Sequence, residues 1–166
     1  METKDVTGKE RHAAGTRERL FSVESANGAL VLVRRIVQDA VRTYGELMRL
    51  RAERHELATG IGVDARLEEL RVRIERMASR LRQLDHELAD IGCEMKDFAR
   101  GLVDFPALRA GRKVLLCWHL GEPQVAHWHD VKAGYAGRRP IDGSFTAEGQ
   151  EAASTETDEQ GESSRR

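Results

Sequence analysis

Two stretches of this chain carry apolar residues at alternating steps of three and four. The longer runs through Leu67, Leu70, Ile74, Met77, Leu81, Leu84, Leu88 and Ile91, with largely charged residues between. Sustained over more than three heptads, that spacing lays one apolar stripe along an α-helix. An earlier series runs through Ala26, Leu30, Val33, Val37, Ala40, Tyr44 and Leu47, after which the frame meets Arg51 and Arg54. Each stripe must be buried, and the short glycine-rich stretch from Ala58 to Val63 returns the second helix alongside the first. The pattern predicts an antiparallel, coiled-coil-like helical hairpin with helices at about 22–57 and 64–91. Ser22 stands where an N-cap belongs, with Phe21 as a staple residue before it. Asp64 is placed to cap the second helix, and Gly92 follows the last apolar residue as a C′ glycine does. Ala29, Val31, Leu32 and Ile36 lie off the main stripe, so the first half of helix one is expected to be covered on two sides.

After Gly92 the period changes to two. Lys113 to Leu120 and Val125 to Val131 read as strands joined by a turn at Gly121-Glu122-Pro123-Gln124, and Cys93 to Phe98 and Leu102 to Phe105 are weaker strands interrupted by Gly101 and Pro106. A three- or four-stranded antiparallel meander at about 93–131 follows, with the glycine-rich stretch to Pro140 as a loop along its edge. In an antiparallel hairpin the start of helix one lies beside the end of helix two, so the sheet must pack at that open end. The expected fold is therefore α+β: residues 20–140 as a single domain, flanked by disordered tails at 1–19 and 141–166. The second tail is acidic, with seven acids and no Lys or Arg between Asp142 and Ser164.

Composition removes several classes. No unbroken apolar run is longer than that from Ala29 to Val33, which falls far short of the roughly 18 residues of a membrane span, and the first residues are too polar for a secretory signal. A cytoplasmic protein is expected, with Cys93 and Cys117 reduced. A net charge of −1 argues against a dedicated nucleic-acid binder, which needs a basic surface to release counterions.

The segment from Gly92 to Pro140 holds both cysteines, both tryptophans, all three prolines and three of the six histidines. Strand alternation puts Leu115, Cys117 and His119 on one face of the first hairpin strand, and His127 and His129 together on the second. If Trp118 and Trp128 share the opposite face, Cys117, His119, His127 and His129 fall together as one thiolate and three imidazoles of zinc-like softness. A one-residue slip would separate them. The bland reading, histidines on a sheet face with Cys117 as a small core hydrophobe, is preferred, so no cofactor is expected and no metal is needed for folding. His129 with Glu122 or Asp104 offers a general base and its orienting carboxylate, and Arg138 in its glycine-rich loop offers an anion holder. GxSxG, P-loop and GxGxxG patterns do not occur.

Three strings, FSVESAN at Phe21 to Asn27, GCEMKDFARGLVDFPAL at Gly92 to Leu108 and LCWHLGEPQVAHWHDVKAGYAGRRP at Leu116 to Pro140, resemble the small bacterial proteins of the domain-of-unknown-function 2203 family. The resemblance spans roughly Leu20 to Pro140. Its pattern implies Lys96, Asp97, Asp104, Cys117, Trp118, Glu122, Trp128, His129 and Arg138 as positions to mutate, of which Lys96, Asp97, Trp118, Trp128 and Arg138 are ligand-binding candidates. Family members carry Arg in place of His119 and other residues in place of His127, which counts against the Cys/His cluster as a family property. No activity comes with the resemblance. The expected function is that of an interaction module whose hairpin face or sheet edge binds a protein partner or a second copy. The alternative is a small ligand-binding protein or hydrolytic enzyme built around His129.

Overall fold

The computed structural model describes residues 18–145, apart from 59 and 61. The first helix, α1 (Val23–Leu57), begins on a capping box in which Ser22 and Ser25 exchange side-chain-to-backbone bonds. The second, α2 (Asp64–Ile91), ends on Gly92 at φ 102°, and both helices have the expected bounds. Asp64 is not the cap as expected. Val63 occupies that position without a side-chain bond, and Asp64 sits in the first turn, where its charge faces the positive end of the helix dipole. Ala26, Leu30, Val33, Val37, Ala40 and Leu47 are all buried, as are Leu70, Leu81, Leu84 and Leu88 across the hairpin. Beyond Leu47 the stripe steps by three to Leu50, which is also buried, so the seam avoids the arginines of the original frame.

The sheet has five antiparallel strands in chain order: β1 (Glu94–Asp97), β2 (Leu102–Arg109), β3 (Arg112–His119), β4 (His127–Asp130) and β5 (Arg139–Pro140). One strand more than expected forms because the chain after Asp130 returns to pair Trp128 with Arg139. β2 runs straight through Pro106. β1 pairs with β2 only as far as Asp104, so no strand needs an N–H from residue 106 on that side, and the Pro106 carbonyl accepts from the Phe21 amide at 2.7 Å. The β2–β3 connection is the two-residue turn Ala110-Gly111, with φ of 49° and 70°, the all-positive geometry of a tight hairpin. β4 is shorter than read from the sequence, starting at His127 and not at Val125. The Val125 amide is instead taken by Asn27 of α1 at 2.8 Å.

The helices cover one sheet face, where Met95, Val103, Phe105, Ala107, Val114, Leu116, Trp118 and Trp128 join the core of the hairpin. The open-end placement holds: Phe21 meets Phe105 edge-on at 5.2 Å and the Arg34 guanidinium lies 5.3 Å from the Trp118 ring. The expected second cover on α1 is only partial. Ile36 is buried and Ala29 half-buried, but Val31 and Leu32 are 79% and 54% exposed. The end of the fold also differs from expectation. Ile141 donates its amide to Ala126 and Phe145 packs on Trp128, so the chain stays in contact with the domain to residue 145. The rest of the two tails expected at 1–19 and 141–166 lies outside the described residues, Glu18 and Arg19 excepted. Among the described residues no helix is long and apolar enough to cross a membrane.

Candidate functional site

On the sheet face away from the helices, alternation presents Leu102, Asp104, Leu115, Cys117, His119, His127 and His129. The β2–β3 register sets Asp104 opposite Cys117, and the β3–β4 register sets Leu115 opposite His129 and Cys117 opposite His127. The strand faces therefore align as the Cys/His reading requires, yet those four side chains do not form one cluster. They divide between two neighbouring groups.

The inner group is Asp104, Cys117 and His129, each no more than 3% exposed. One ligand-type atom from each lies within 4.8 Å of the other two, the one such three-residue group of His, Cys, Asp or Glu among the described residues. His129 Nε2 is 3.3 Å from Asp104 Oδ1, and Nδ1 is 2.9 Å from the Asp130 carbonyl. A carbonyl only accepts, so Nδ1 carries the proton and Nε2 turns its lone pair toward Asp104 unless the ring is doubly protonated. Burial and the adjacent Asp104 charge push the Cys117 thiol up to about 12. It is protonated at neutral pH and is no nucleophile as it stands.

The outer group centres on Glu122. Arg138 Nη2 donates to both of its carboxylate oxygens at 2.7 Å and to the Cys117 carbonyl at 3.3 Å, and the His119 amide donates to Oε2 at 2.9 Å. His119 Nε2 and His127 Nδ1 stand 3.4 and 3.5 Å from Oε1. Burial raises the Glu122 pKa, but the Arg138 and His119 donors outweigh it and hold the carboxyl below its usual range. The backbone of the same residue accepts from Trp118 Nε1 and from Arg34. Glu122 is a joint between β3, the last turn before β4, and the segment leading to β5.

The remaining candidates are dispersed. Lys96 pairs with Glu94 at 2.8 Å, and Asp97 accepts the amides of Ala99 and Arg100, closing the β1–β2 turn. Trp118 and Trp128 belong to the helix-facing core. A cavity of about 580 Å³ lies between Glu18, Arg19, the end of α2 and β1, and a groove of about 350 Å³ lies between α1 and Pro123-Gln124. Neither wall includes any of these candidates. Arg138, expected to hold an anion, already holds the Glu122 carboxylate. The grouping of Asp104 with Cys117 was missed in the sequence, although the turn at Ala110-Gly111 implies it.

No curated protein and no solved structure matches the chain. A family model described as an uncharacterized conserved protein, DUF2203, matches residues 19–141, the same stretch as the sheet, the hairpin and both polar groups. The chain therefore belongs to the domain-of-unknown-function 2203 family.

Proposed function

We propose that the protein is a cytoplasmic interaction module that pairs with a second copy of itself through the outward face of α1. The observation that carries this reading is the exposure of Val31 and Leu32 on the side of α1 opposite its buried stripe. Glu24, Gly28, Val31 and Arg35 recur there at helical spacing, all exposed. An antiparallel pairing about a two-fold axis level with Ala29 and Leu30 sets Val31 of each copy against Gly28 of the other, and Glu24 against Arg35. Gly28 leaves room for this: a Cβ built on it would meet nothing within 4 Å, and a mid-helix glycine otherwise costs roughly 0.5–1 kcal/mol relative to Ala. A face that complements itself in shape and charge closes as an isologous dimer and goes no further.

Sedimentation equilibrium of the full chain should show a dimer at micromolar concentration, and Val31→Glu should give a monomer with unchanged circular dichroism. Glu24→Arg should weaken pairing and Arg35→Glu in the same chain should restore it. A wild-type chain that stays monomeric overturns the reading, and a double exchange that fails to restore pairing overturns the antiparallel register. The alternative, a hydrolytic or ligand-binding site on His129, draws on the approach of His129 to Asp104, but its anion holder is already neutralised by Glu122.

A further inference from the structure

We propose that Asp104, Cys117 and His129 form a three-ligand site for a divalent metal ion of the zinc class. Three adjacent strands supply one ligand each, so the sheet's hydrogen-bonded register fixes their backbone separations. The His129 ring is already oriented as a metal-bound imidazole is, with Nδ1–H given to a backbone carbonyl and Nε2 turned toward Asp104. With Nε2 unprotonated, its lone pair faces a carboxylate oxygen at 3.3 Å, two acceptors that need a positive charge or a proton between them. A proton bridging Nε2 and Oδ1 would satisfy those two atoms. The Cys117 thiol, for its part, hydrogen-bonds the same Asp104 carboxylate, so one dication would take the place of two protons among three ligand atoms that lie within 4.8 Å of one another.

The chemistry of the donors selects the ion. One thiolate, one imidazole and one carboxylate suit zinc or cobalt, whereas magnesium and calcium take oxygen donors almost alone. The two negative charges of Cys117 and Asp104 neutralise a dication, which makes the ensemble tolerable at a site no more than 3% exposed. In tetrahedral zinc sites donor atoms lie roughly 3.5 Å apart, so the widest gap here, at most 4.8 Å, closes by about 1 Å through side-chain torsion. Three protein ligands leave a fourth corner for water or an exogenous donor. Binding converts the thiol to a thiolate and releases its proton, so affinity should fall as pH is lowered. Nothing in this inference depends on pairing through α1, which lies on the other side of the sheet.

The test uses the full, untagged chain, stripped with chelator and titrated with Co²⁺ and then Zn²⁺. One equivalent of Co²⁺ should give a thiolate-to-cobalt charge-transfer band, Zn²⁺ should displace it, and Zn²⁺ should raise the melting temperature by mass action. Cys117→Ala and His129→Gln should abolish the band, each checked by circular dichroism for a retained helical signal. Cys93→Ser, and His119→Gln with His127→Gln, should leave it unchanged. If either buried variant fails to fold, Asp104→Asn, which keeps shape and removes charge, should weaken Co²⁺ affinity at least tenfold. Failure of the wild-type chain to bind one equivalent, leaving only an internal proton-bridged network, overturns the proposal, as does a band that survives Cys117→Ala or is lost with His119 and His127.

Discussion

At Glu122 a single carboxylate satisfies an arginine side chain and a strand-end amide, and both it and Arg138 are largely buried, at 15% and 11% side-chain exposure. Glu122→Gln strands the Arg138 charge and should destabilise the fold by about 2 kcal/mol, somewhat less than the roughly 3–5 kcal/mol lost when a fully buried pair is broken. Because the folded carboxyl titrates below its ordinary 4.5, its stabilisation is complete above that value and is lost as pH falls through the folded value. Urea titrations should therefore show wild type and variant converging in acid. A gap that stays constant with pH would assign the effect to shape and not to charge. At this scale the sequence was readable in identity but not in grouping. Asp104, Cys117 and His129 each stand out by residue type, but residue chemistry alone groups Asp104 with the acid–base candidates and Cys117 with the histidines. The two-residue turn at Ala110-Gly111 forces Asp104 opposite Cys117, since the hairpin is symmetric about it. The longer connection between His119 and His127 imposes no such symmetry, so the partition of the histidines required the structure.

Two glycines show how the elements are joined. Gly101, between β1 and β2, has φ 65°, and a Cβ there would come 2.8 Å from Val37 Cγ1 and 2.9 Å from Leu120 Cβ. Gly111, in the β2–β3 turn, has φ 70° with nothing within 4 Å. Gly111→Ala should cost only the left-handed backbone penalty, about 1 kcal/mol, whereas Gly101→Ala adds overpacking against α1 and should cost roughly 2–4 kcal/mol. Equal losses in denaturant unfolding would mean that the approach of α1 does not fix this turn. The helices were legible in extent because a 3,4 stripe with Ser22 and Gly92 at its ends admits one reading, although the cap of α2 falls at Val63 and not at Asp64. The strands were less so. Pro106 signals a break by its chemistry, and only the early end of β1 and the docking of Phe21 explain why β2 continues. β5, two residues long, has no periodicity to read.

For the whole molecule, two buried thiols report from opposite sides of the sheet. Cys93 sits in the helix-facing core and Cys117 beneath the outer polar groups. Burial is the main cause that pushes each up from its ordinary 9.0 to about 12, so the stability they contribute is complete below pH 9 and is lost as pH rises toward 12. In the metal-stripped chain both should alkylate slowly and at rates that track global stability across a denaturant series. Faster labelling of Cys117 alone would show that the segment after Asp130 opens independently. The topology itself bears on synthesis. Every strand pairs with its neighbour in sequence, and α1 pairs with α2, but the first half of α1 finds its remaining cover in the sheet and the turns between its strands, as where Arg34 lies on Trp118 and Asn27 takes the Val125 amide. Some ninety residues separate Val37 from Trp128, which a ribosome adding about 5–20 residues per second takes roughly 5–20 s to supply. Throughout that interval the nascent chain, first as a lone helix and then as a hairpin, exposes the apolar start of α1, a natural hold for a chaperone and a hazard on crowded polysomes.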